Sequence, residues 1–124
     1  MKSIAVLVRC LSSLPIAVTA ETIKLSCSFA TYSTSEGGPR KAQDYSFEIS
    51  IDTLTRKDYI VGNLAVSELT LIRGSGDITS FVEVTPAGSI MATTIDSTGQ
   101  AVHSRHVDIA GVVQGSSQYY GSCF

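Results

Sequence analysis

Residues 22–29 read Thr22-Ile23-Lys24-Leu25-Ser26-Cys27-Ser28-Phe29, an unbroken alternation of polar and apolar side chains. A β-strand sends successive side chains to opposite faces, so this run is a half-buried strand with Ile23, Leu25, Cys27 and Phe29 inside. A helix would need apolar residues three and four apart, and the run has no such spacing. The same alternation returns at residues 45–51. There Tyr45, Phe47, Ile49 and Ile51 point one way, and Ser46, Glu48 and Ser50 the other.

Downstream the pattern repeats in shorter pieces. A third strand is expected over 58–64, weakened at its end by Gly62-Asn63. A fourth covers 66–72, with Leu69 and Leu71 on one face. A fifth covers 78–85, with Ile78, Val82 and Val84 on one face, and others cover 89–96 and 100–105. The last stretch, 106–123, holds Val107, Ile109, Val112 and Val113, breaks at Gly115-Ser116-Ser117, and resumes through Tyr119 and Tyr120 to Cys123. Turn signals separate these runs at 52–55, 73–77, 86–88 and 97–99, where Asp, Gly, Pro and Ser supply local hydrogen bonds or positive φ. Residues 31–43 are rich in Ser, Thr and Gly, contain Gly37-Gly38-Pro39, and are expected to form a mobile loop.

Roughly seven or eight short strands with turns every eight to twelve residues or so indicate an all-β domain, a small antiparallel up-and-down barrel or a sandwich. No connection after 31–43 is long enough for a crossover helix, which excludes a parallel sheet.

The chain has 124 residues, enough for one domain. Residues 1–20 differ in character: a basic head with Lys2 and Arg9, an apolar stretch through Val18, and small residues at Val18-Thr19-Ala20. That is the layout of a signal peptide, which predicts a periplasmic or secreted domain covering 21–124. The apolar stretch is too short to span a bilayer, and Cys10 sits too early for a lipoprotein signal. Of the 9 basic residues, Lys2 and Arg9 leave with the leader, so the domain carries 7 against 11 acidic residues, a net charge of −4. Without a basic stripe, nucleic acid and anionic membrane surfaces are excluded as partners.

Removing Cys10 leaves Cys27 and Cys123, and a pair of thiols in an oxidising compartment bridges. Such a bridge makes the first and last strands neighbours, in the same sheet or facing across the core. Cys123 shares a strand face with Tyr119 and Gly121, and the glycine leaves room for a sulfur to approach.

The densest cluster of reactive side chains is His103, Arg105, His106 and Asp108. On a strand His106 and Asp108 share one face, and His103 and Arg105 the other. That split denies a metal site its converging ligands, and it leaves His106 with Asp108 as a geometrically possible acid–base pair. Both histidines are expected to be solvated and dispensable for the fold. Asp52-Thr53-Leu54 and Asp96-Ser97-Thr98-Gly99 are turn-formers rather than catalytic triplets, and Ser75 between two glycines lacks the nucleophile-elbow motif. Of the adjacent Tyr119 and Tyr120, one must face outward, where it can anchor a partner. No cofactor is implied.

The chain resembles the small, functionally uncharacterised exported β-sheet proteins of proteobacteria. The resemblance rests on the early strand with one Cys, the strand end Tyr45-Ser46-Phe47-Glu48-Ile49-Ser50-Ile51-Asp52, the hairpin Ile95-Asp96-Ser97-Thr98-Gly99 and the terminal Gly121-Ser122-Cys123. Ser97 stands where that family usually has Arg. The resemblance implies a β-sheet fold and no activity. Periplasmic inhibitors of C-type lysozyme are also disulfide-closed β-barrels, but their active loop, Ser-Gly-x-x-Tyr, meets Ser75-Gly76-Asp77-Ile78-Thr79 here, without the tyrosine. The expected role is a non-catalytic binding module for a protein, a glycan or a small apolar ligand. The alternatives are a self-assembling surface component and a small hydrolase using His106 and Asp108.

Overall fold

The computed structural model describes residues 21–62, 65–109 and 112–124, with the backbone alone for 107–109 and 112–114. The expected leader, residues 1–20 with Cys10, lies outside the described residues, as do Asn63 and Leu64 at the expected end of the third strand.

Eight strands follow in chain order: β1 (Thr22–Thr34), β2 (Gly37–Asp52), β3 (Lys57–Val61), β4 (Val66–Arg73), β5 (Thr79–Val84), β6 (Ile90–Ile95), β7 (Gln100–Ile109) and β8 (Val112–Cys123). Each pairs antiparallel with the next, and β8 pairs back onto β1, so the sheet closes as an up-and-down barrel. Closure leaves the paired strands no free edge. The open choice between barrel and sandwich is thereby decided.

The outer surface of β1 and β2 carries Lys24, Ser26, Ser28, Ser46 and Glu48, while Cys27, Phe29, Phe47 and Ile49 are buried inside. This is the reverse of the apolar-out pattern of a membrane-spanning barrel. No helix among the described residues is long and apolar enough to cross a membrane.

Two segments depart from the sequence-based expectation. Residues 31–43 are not a mobile loop. They form the upper part of the β1–β2 hairpin, with Thr31 opposite Lys41, Tyr32 opposite Arg40 and Thr34 opposite Gly37 around a turn at Ser35-Glu36. Register shifts at Ala30 and Ser33 and a positive φ at Asp44 absorb the irregular residues. Gly37 and Gly38 adopt φ of 114° and 154°, conformations closed to other residues, so these glycines shape a strand rather than break one. Likewise, Gly115-Ser116-Ser117 does not interrupt the last strand; β8 runs through it.

On β5, Val82 and Val84 do share a face, but it is the outer one. Phe81 points into the core and Val84 is 65% exposed. The large aromatic ring sets the register, because a one-residue slip would exchange the two faces.

Cys27 and Cys123 are joined by a disulfide, directly opposite each other on β1 and β8 with Cα atoms 4.0 Å apart. Ser26 and Phe124 exchange both backbone bonds on the next rung (2.8 and 3.0 Å). The cysteines therefore occupy a non-hydrogen-bonded pair, the rung where side chains come closest. Gly121 serves a different purpose from making room for the sulfur. A Cβ there would collide with the Ser28 carbonyl oxygen and the Phe29 Cα, so the missing side chain lets the bulged β1 backbone pack against β8.

Candidate functional site

The barrel has two unlike ends. The lower end carries the β2–β3, β4–β5 and β6–β7 turns, and the upper end the β1–β2 and β7–β8 turns. The lower turns are built as the sequence implies. Asp52 Oδ1 accepts the Leu54 and Thr55 N–H groups, and Asp96 Oδ1 accepts the Thr98 hydroxyl and the Thr98 and Gln100 N–H groups. Hydrogen bonds hold both carboxyls below the usual range, led by the Thr55 N–H for Asp52 and the Thr98 hydroxyl for Asp96. These aspartates are committed to turns.

The middle of the lumen is filled. Phe29, Phe47, Ile49 and Phe81 are buried there, Ile49 completely. With them lies His103, 1% exposed, its ring 5.0 Å from Phe47 and 5.8 Å from Phe29. The expectation of two solvated, dispensable histidines therefore fails for His103. Its polar atoms are satisfied inside: Nδ1 lies 2.7 Å from Thr93 Oγ1 and Nε2 lies 3.2 Å from Tyr45 Oη. One ring nitrogen donates and the other accepts, so a neutral imidazole satisfies both hydroxyls. Burial, aided by the Arg105 charge, lowers its pKa to about 4. Burial likewise raises Tyr45, with Arg105 opposing and Tyr119 and Glu83 reinforcing.

His106 lies on the outer face and is exposed, so β7 splits the two histidines as the alternation requires. Asp108 pairs with Val113 in the β7–β8 ladder, and its side chain lies outside the described residues. Of the two adjacent tyrosines, Tyr120 faces outward and its hydroxyl donates to Gln118 Oε1 at 3.3 Å. Tyr119 faces inward. Among the described residues no three His, Cys, Asp or Glu side chains cluster as a metal set.

Above the filled middle, the four long strands run past their short neighbours. β2 pairs with β3 only from Glu48 to Asp52, and β7 pairs with β6 only up to His106. The strands β7, β8, β1 and β2 thus form an upper wall whose inner face carries directly opposed residues. His103, Tyr119, Tyr32 and Arg40 make one row, and Arg105, Ser117, Thr34 and Gly37 the next. Tyr32 stacks on Tyr119 at 5.3 Å and 20°, and Tyr119 lies 4.3 Å from Tyr45. Arg105 places its guanidinium 5.7 Å from the centre of the Tyr45 ring. Between the wall strands lies an open cavity of about 430 Å³ lined by Tyr32, Tyr119, Arg40, Arg105, Glu36 and Ser117, among others. The lower mouth is a smaller cleft of about 220 Å³, lined by Leu25, Ile51, Leu71, Phe81 and Ile95.

Arg105 was singled out from the sequence, in the cluster with His103, but Tyr32, Tyr45, Arg40 and Thr93 were not marked as site residues. Tyr32 and Arg40 fell in the stretch read as a loop. Tyr45 carried a signal, an amphipathic ring at the end of an apolar stripe, where a core-facing hydroxyl requires a partner. No family model, curated protein or solved structure matches the chain.

Proposed function

We propose that the chain is an exported, non-catalytic binding domain that engages a partner protein through the inner face of its upper wall. One observation carries the reading: a lumen plugged by Phe29, Phe47, Ile49 and His103 lies beneath an open wall bearing Tyr32, Tyr119, Arg40 and Arg105. These side chains occupy the centre of the barrel, where a lumen-bound ligand would sit. Tyrosine and arginine are the side chains that most often anchor protein contacts. Export is supported by the leader-like layout of residues 1–20 and by the Cys27–Cys123 disulfide, which suits an oxidising compartment. A hydrolase built on His106 finds little support: that exposed imidazole lines an outer pocket of about 350 Å³ with Ser33, Ser35, Ser116 and Ser117, but among the described residues no hydrogen bond joins it to any of these hydroxyls.

The test is affinity capture. Immobilised domain 21–124 is compared with its Tyr32→Ala variant against envelope and secreted fractions, with bound proteins quantified by mass spectrometry. The expected result is a discrete protein retained by the wild type and depleted with the variant. Equal retention on both, or esterase or peptidase activity that disappears in His106→Ala, would overturn the reading.

A further inference from the structure

We infer that the upper wall recognises two carboxylates of an extended acidic peptide segment, one at Arg105 and one at Arg40. The inference rests on the wall being the binding face and names the chemistry that face takes.

Arg105 supplies the first argument. Its Nε is buried and, among the described residues, has no hydrogen-bond partner. A guanidinium offers five N–H donors in a fixed fork, and leaving a buried one unmade costs free energy. A carboxylate entering the cavity satisfies that fork in the geometry arginine matches best. Among the described residues, neither Arg105 nor Arg40 has a carboxylate within 4.0 Å.

Two acidic groups face the same region and set the limits of the site. Glu36 lines the cavity at the hairpin tip. Glu83 lies across Met91 from Arg105 on the inward face and contributes to the raised pKa of Tyr45. Neither engages an arginine directly, and both confine an anion to the two guanidiniums.

Spacing and ring orientation favour a peptide. Arg105 and Arg40 sit on β7 and β2, three strand spacings apart, or about 14 Å between backbones. Both guanidiniums line one cavity, and each pairs best with a carboxylate of its own in the bidentate fork, so two arginines call for two acidic side chains a few residues apart on an extended segment. The faces of Tyr32 and Tyr119 are turned on each other. Tyr119 also lies 4.3 Å from Tyr45, so its ring is taken up by aromatic neighbours and offers less bare face to a sugar ring.

The test is an NMR titration of the disulfide-intact domain with three probes: the acetylated, amidated peptide Asp-Glu-Asp-Glu, its Asn-Gln-Asn-Gln counterpart, and trigalacturonate. The acidic peptide is expected to shift the amides of Tyr32, Arg40, Arg105 and Tyr119 and to saturate, and the amide peptide is not. Arg40→Gln, at an exposed position, and Arg105→Gln are each expected to weaken binding roughly tenfold or more, as loss of a charge-assisted pair does. Arg40→Gln keeps the test valid should Arg105→Gln disturb the barrel. Equal binding of both peptides, shifts away from the wall, or binding of trigalacturonate in place of the peptide would overturn the inference. A partner captured through Tyr32 that ignores both arginine substitutions would overturn it while leaving the proposed function standing.

Discussion

At its upper end the lumen holds Tyr45, Tyr119, Thr93, His103 and Arg105; at its lower end it holds Leu25, Ile51, Leu71, Phe81 and Ile95. Strands β2 and β6 supply residues to both sets; β7 and β8 complete the upper one and β1, β4 and β5 the lower. The lower set needs only to be packed, and hydrocarbon removed from water stabilises it without further conditions. Buried polar atoms of the upper set call for partners: His103, Thr93 and Tyr45 supply one another's, and Arg105 Nε has none among the described residues. The ends also differ in closure. The lower end is stapled by the disulfide and by aspartate-capped turns, whereas β3 and β6 stop short of the upper wall. Stability is thus concentrated below and chemical opportunity above.

The comparison breaks most severely at the staple. The cysteines are 96 positions apart in sequence, and by the chain-entropy model a loop of that order contributes about 4–5 kcal/mol. That is a large share of the roughly 5–15 kcal/mol of a typical domain. The Cys27→Ser/Cys123→Ser variant, or added reductant, is expected to lower the urea midpoint accordingly, with β1 and β8 amides at the lower seam losing hydrogen-exchange protection first. A midpoint indifferent to reductant would mean that the β1–β8 ladder alone closes the barrel.

The next effect belongs to the upper end. His103→Ala removes a buried ring and orphans Thr93 and Tyr45, a loss of roughly 2–4 kcal/mol. Acid should reach the same site without mutation. The folded-state pKa of about 4 lies below the unfolded value of about 6.5, so the unfolded chain takes up the proton first. The stability contributed by keeping His103 neutral is full above about pH 6.5 and is lost as pH falls towards 4, on the order of 3 kcal/mol in all. Urea midpoints measured across that window should slope downward in the wild type, and His103→Gln should flatten the slope. A slope that survives the substitution would place the acid-sensitive group elsewhere.

A smaller effect of opposite sign comes from the lower end. Asp58 is 5% exposed on the inward face of β3, and burial raises its pKa while Arg73 opposes the rise. A carboxyl raised in the folded state favours folding in acid and opposes it as pH increases. Asp58→Asn is therefore expected to raise the urea midpoint at neutral pH and to steepen the acid loss due to His103. A lower midpoint at pH 7 would show that the Asp58 charge has compensating partners.

These differences also mark what could be read from the residues. Strand content, the inward stripes of β1 and β2 and the turn roles of Asp52 and Asp96 follow from local alternation and turn chemistry, and the adjacency of the terminal strands from the cysteine pair; all are present in the barrel, except that Ile23, at the end of its stripe, is 44% exposed. The upper wall was hidden for a local reason. Gly37-Gly38-Pro39 and Gly115-Ser116-Ser117 have loop-like composition, yet neighbouring strands hold them extended. Pairing across 80 or more positions, as between Tyr32 and Tyr119, leaves no trace in a window of ten residues. The burial of His103 was hidden differently. Alternation placed it on the face of Arg105, but whether that face was wet depended on Phe29, Phe47 and Tyr45 arriving from β1 and β2.

The smallest expected effect completes the contrast, because it uses the same residue type on the same strand. His106 lies three positions from His103, on the outer face beside Ile90 and Ser116. It is exposed, and among the described residues no hydrogen bond or ion pair involves its side chain. His106→Ala should therefore change the urea midpoint by no more than about 0.5 kcal/mol in equivalent stability, the usual range for a surface position. It should also leave the pH slope of the wild type intact, since that slope belongs to the imidazole inside the wall. Measuring both variants across pH 4–8 separates the histidines by position alone. A loss in His106→Ala approaching that of His103→Ala would mean that the outer face of β7 is covered in the native protein, and that the barrel has a second interface opposite its upper wall.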